Sequence, residues 1–310
     1  MKKFLIVVGA IVVFLFVIII FKDWAIKSMV TRIASNITGA PVQMDGFSMN
    51  PFNSTIHISG FKMFNPSGFP AGLLVSCPEI KVIYDRGSLF NHKPHFLLID
   101  VDLKEMVLTK NKQGKLNVDS LKIVHPPKSS APVPLKIDLL NLSIGKIVYK
   151  DYTIGTQPPS VRVFEVNRHQ RYKSIPTARQ LALLVLSEPM KAAAIKDAEI
   201  YGVAIVAGVA MLPVAVVATF ISKDDVEQSI DASLEHVYEI SLEVIGRMGT
   251  ISMHDESSGV IKANINGAMV ALKLSKGTDN KTEITISARK YMLPETQIAG
   301  GVLYQIQEKL

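Results

Sequence analysis

A chain of 310 residues has room for about two domains, and its single cysteine, Cys77, excludes an internal disulfide framework and a zinc site built on several thiolates. Hydrophobic residues make up 48% of the chain and the mean hydropathy is +0.27, high for a soluble enzyme of this size. The net charge of +7 points toward an anionic partner, yet only 20% of residues are charged and no stretch interleaves aromatic with basic side chains, so no nucleic-acid partner is expected.

Residues 4–21 form an uninterrupted apolar run, long enough at about 1.5 Å per residue to span a hydrocarbon core. The exit, Lys22-Asp23-Trp24, lacks a small-residue cleavage site, so 1–22 reads as an uncleaved signal anchor and transmembrane helix; a cleaved signal is the alternative. Lys2 and Lys3 place the start in the cytoplasm and the rest of the chain outside.

From Asp23 a short amphipathic helix carries Ala25, Ile26, Met29, Val30, Ile33 and Ile37 and stops at Gly39-Ala40-Pro41. The period then becomes two, and 23–175 reads as a curved, mainly antiparallel β sheet. Ile56 and Ile58 continue after Gly60 as Phe61 and Met63, a slip of one position that marks a bulge. Ile99, Val101 and Leu103 alternate with charged residues, and Ile137, Leu139, Leu142 and Ile144 repeat the device. A Pro/Ser-rich stretch, 125–134, reads as a loop within this sheet because alternation resumes directly after it.

Residues 176–222 read as a hydrophobic helical segment capped by Thr177 and interrupted at Pro189. Within it, 201–221 carries no charge, but seven Gly or Ala and Pro213 weaken it as a span; a full membrane span and a buried or interfacial helical hairpin both stand. Residues 223–310 hold 9 Lys plus Arg against 13 Asp plus Glu. They read as a two-layer α+β module: a helix over 224–247, four strands, and a closing helix through Ile298, Val302, Leu303 and Ile306.

Chemistry-bearing motifs are scarce. His92 and His95 form an HxxH in a loop without acidic partners, and Asp100 and Asp102 read as the polar face of a strand rather than a general acid/base pair. No phosphate-cradling or nucleophile-elbow motif occurs, so no enzyme and no cofactor is expected. Gly300-Gly301 reads as a turn or helix-packing pair. Arg162, Arg168, Arg171, Lys173 and Arg179, with His169, cluster before the apolar segment and are candidates for anionic headgroups.

Three stretches, ITGAPVQMDGFSMNPFNSTIHISGFKMFNPSGFP at 37–70, EIKVIYDRGSLF at 79–90 and VDLKEMVLTKNKQGKLNVDSLK at 101–122, follow the apolar amino terminus. Together they resemble the AsmA-like family of bacterial envelope proteins, with KNKQGKLNVDSL the most specific string. The segment 235–267 separately resembles small periplasmic, lipoprotein-like domains. The resemblance implies an inner-membrane anchor, a periplasmic location, and a role in phospholipid transport, outer-membrane biogenesis and envelope homeostasis. The expected function is therefore to bind or hand on membrane phospholipid in an apolar groove of one-sided strand residues: Ile56, Ile58, Phe61, Met63, Ile99, Val101, Leu103, Ile137, Leu142 and Ile144. The alternative is a non-catalytic assembly scaffold that fills its own groove and binds an envelope protein partner, or itself, through the acidic module.

Overall fold

The computed structural model describes residues 23, 25–91, 94–126, 134–153, 159–195, 198–200, 203–204, 207, 225–278, 281–291 and 293–310. Apolar alternation builds a seven-stranded sheet from β1 (Val42–Gln43), β2 (Gly46–Asn50), β3 (Thr55–Phe64), β4 (Leu73–Tyr84), β5 (His95–Lys110), β6 (Pro134–Asp151) and β7 (Ser160–Thr177). The strand order is β1-β3-β4-β5-β6-β7, with β2 also paired to β3. All neighbours are antiparallel except β5 and β6, whose parallel pairing needs the long crossover of 111–133.

Inward-facing residues of β5 and β6 match one for one. Ile99, Val101, Leu103, Met106 and Leu108 pair with Leu140, Leu142, Ile144, Ile147 and Tyr149, and all ten are buried. The alternation slips by one between Leu103 and Met106 and at the same level between Ile144 and Ile147. In β3 the same slip falls at Gly60 and in β4 at Pro78, so one irregularity crosses four strands. Gly60 has φ +59 and Gly145 lies so close to the Lys104 carbonyl that a Cβ would overlap it. At β7 the slip is absorbed as a register shift opposite Asn167, whose φ is 43.

The inward face is covered by the chain itself. Helix α1 (25–38) contributes Ala34 and Ile37, the crossover contributes Leu116, Val118, Leu121, Ile123 and Val124, and helix α2 (Ala178–Ala192) contributes Leu183, Leu184, Leu186 and Met190. Thr177 caps α2 by accepting from the Gln180 N–H at 3.1 Å. The helix continues through Pro189, where the sequence expected an interruption.

The second sheet contains β8 (Asp225–Ile230), β9 (Thr250–Asp255), β10 (Val260–Ile265), β11 (Ala268–Lys276), β12 (Thr282–Lys290) and β13 (Leu293–Pro294), in the order β13-β12-β11-β10-β9, with β8 also on β12. Helices α3 (Leu234–Met248) and α4 (Thr296–Lys309) close a separate core around Val237, Ile245, Leu272, Ile286, Val302 and Ile306. The helix expected over 224–247 is corrected: its first residues pair with β12 as β8, and the helix starts after Ser233, whose Oγ accepts from the His236 N–H at 3.4 Å.

The fold is mixed α+β with two sheets, and its expected transmembrane helix is corrected. Among the described residues no helix is long and apolar enough to cross a membrane. Helix α1 spans only about 21 Å over 25–38 and carries Lys27 and Arg32, while α2 carries Arg179, Glu188 and Lys191. The signal anchor and the inner-membrane location that rested on such a helix fall with it; the run 4–21 that prompted them lies outside the described residues, as does 201–221 apart from Val203, Ala204 and Ala207.

Candidate functional site

Period-two patterning that sends apolar side chains inward sends their neighbours outward, and the registers align these neighbours into rungs. One rung runs His57, Lys81, Asp100, Asn141, Arg171 across β3, β4, β5, β6 and β7; the next runs Ser59, Glu79, Asp102, Ser143, His169. From β4 to β7 the two rungs line an open cleft of about 630 Å³, whose walls include Glu79, Lys81, Asp100, Asp102, Asn141 and Arg171.

Charges in the cleft are tied sideways. Glu79 accepts from Lys81 at 2.9 Å and meets His57 Nε2 at 2.8 Å. The Lys81 hydrogen bond, then that of His57, holds the Glu79 carboxyl below its usual range. Asn141 Nδ2 donates to Asp100 Oδ1 at 2.6 Å, and Arg171 Nε donates to Asn141 Oδ1 at 3.2 Å. Asp100 and Asp102 thus sit on one polar strand face. His95 opens β5 rather than lying in a loop, and bonds Asp138 at 2.8 Å, which with Lys136 lowers the Asp138 carboxyl. His92 lies outside the described residues, and among those described no group of three or more His, Cys, Asp or Glu is placed to hold a metal.

The headgroup candidates do not converge. Arg171 and Lys173 are exposed on the outward face of β7 beside His169, whereas the even-numbered register places Arg168 on the opposite face, next to Ile144, Glu188 and Lys191. Arg162 stacks over Tyr149 at 4.9 Å from the ring centroid. Arg179 donates to the carbonyls of Ile123 and Val124. Of the groove positions, Met63, Ile99, Val101, Leu103, Ile137, Leu142 and Ile144 are buried in the first core, while Ile56, Ile58 and Phe61 on β3 are half-buried.

Beyond the slip the outward face turns apolar, and α4 docks there. Val107, Val148 and Val161 are buried beside Val163 and Tyr304. Gly300 faces Val163, and a Cβ at Gly301 would overlap the Val161 carbonyl. Tyr304 donates to Glu105 at 3.3 Å, Lys146 pairs with Glu105 at 3.1 Å, and Lys150 pairs with Glu308 at 2.8 Å. The sequence had reduced this contact to the glycine pair; the surplus of outward valines on β5, β6 and β7 was the signal that a partner covers them.

No protein-family model matches the chain, and no curated protein is significantly similar to it.

Proposed function

We propose that the protein is a non-catalytic scaffold that presents the outward polar face of its first sheet to a protein partner. The filled inward face carries this reading: seven of the ten groove positions are buried against α1, α2 and the crossover, leaving little apolar surface for a ligand. The lateral pairing of Glu79 and Asp138 supports a non-catalytic role, because a carboxylate held below its usual range is a poor proton donor or acceptor near neutrality. Phospholipid binding is the second reading, favoured by half-buried Ile56, Ile58 and Phe61 at the β3 side of the sheet. Native mass spectrometry of the full chain tests the choice. The scaffold reading expects protein free of phospholipid; one or more phospholipids per chain, lost in Phe61→Asp, would overturn it and restore the lipid reading.

A further inference from the structure

We propose that the edge of β7 over 168–173 receives an extended acidic segment of a protein partner as an additional strand of the first sheet; this rests on the scaffold reading and names the partner's chemistry. Strand β7 ends the strand order, and among the described residues its ladder runs only to β6. At eighteen residues it is a long edge. Long edges invite pairing, and a charged edge turns away strands of like or no charge while still admitting one of opposite charge.

Two residues with left-handed backbone, Asn167 (φ 43) and Ser174 (φ 57), bracket the window Arg168-His169-Gln170-Arg171-Tyr172-Lys173. It is long enough, at about 20 Å, for a six-residue ladder. His169, Arg171 and Lys173 are exposed on one face, so an incoming strand meets a row of cations along that face. A second copy's β7 laid antiparallel would set like charges opposite each other, which destabilises pairing. An acidic strand instead gains complementary cross-strand pairs together with main-chain hydrogen bonds, the combination used in strand addition. Lipid phosphates would satisfy the cations and leave the main-chain edge unused.

The test uses the full chain and a fluorescent peptide alternating Glu with Val. A second peptide of the same charge carries an N-methyl group on every residue, which removes the donors of both its edges, and phosphatidylglycerol vesicles form the third arm. The unmodified peptide should bind, and bind roughly tenfold more weakly to the Arg171→Glu/Lys173→Glu double variant. Lys173→Glu alone, at an exposed site, should retain the melting temperature and weaken binding about threefold. N-methylation should abolish binding, and the peptide should slow amide exchange only over 168–173. Equal binding of the N-methylated peptide, protection elsewhere, or binding of vesicles without peptide would overturn the proposal. None of these outcomes bears on the scaffold reading, which is decided by the lipid content of the purified chain.

Discussion

Single polar residues decide how the crossover lies under the first sheet. Asn117 is fully buried; its Nδ2 donates to Asn65 Oδ1 at 2.7 Å and to the Val107 carbonyl at 2.9 Å. Asn117→Ala strands both acceptors and should cost about 2 kcal/mol in a denaturant titration. Asp119 is 3% exposed and accepts from the Ile200 N–H at 2.9 Å. Burial raises its carboxyl above the ordinary value, against the opposing backbone bonds from Ile200 and Glu199. A raised folded-state value favours the fold at low pH, and that contribution is lost as pH rises from 3.8 through the raised value. Asp119→Asn keeps an acceptor for Ile200 and removes the charge, so its melting temperature should match the wild type in acid and exceed it at pH 7; a lower value at pH 7 would contradict the argument. The string KNKQGKLNVDSL stood out in the sequence, yet the inward turn of Asn117 and Asp119 did not, because polar residues in a turn ordinarily face water. Their interleaving with Leu116, Val118 and Leu121 was the available clue.

Elements were legible where periodicity was long. The alternation of Ile99, Val101 and Leu103 and the Thr177 cap appear as read, since each depends on local geometry; the slip at Gly60 is present as a left-handed glycine but not as the expected bulge, because the register with β4 runs unbroken past it and shifts only at Met63 and Phe64. The start of α3 was not legible: Val226 and Ile230 are spaced four apart and fit a helix, but β12 offers an edge and the competition is settled by tertiary pairing. The docking of α4 on β7 likewise depends on the absence of side chains at Gly300 and Gly301, which no period encodes. Gly301→Val should lever the helix away at a cost of about 1–3 kcal/mol. The expected readout is faster amide exchange over 300–306 with β10 and β11 unchanged; unaltered exchange over 300–306 would mean that the close approach contributes nothing.

Across the whole molecule, two separate cores are joined by the face that β5, β6 and β7 offer to α4. Burial, reinforced by Asp102, pushes the Cys77 thiol up to about 12, so it reports on the opening of the first core. Alkylation at pH 8 should run roughly a hundredfold or more slower than in the unfolded chain. It should stay slow in Gly301→Val, because that change loosens the joint and not the core; fast labelling would show that the two cores share one unfolding transition. Side-by-side parallel pairing of β5 and β6 was invisible in the sequence, since pairing is non-local, although their apolar positions repeat at a constant offset of 41 residues, as in Val101 with Leu142. That shared slip restricts how the chain can change length. Losing one residue from β6 ahead of Gly145 would turn its preceding side chains inside out while β5 kept its phase, setting polar groups against the core. Length changes at this level are therefore tolerated only when β3, β4, β5 and β6 make them together, or when loops outside the strands absorb them.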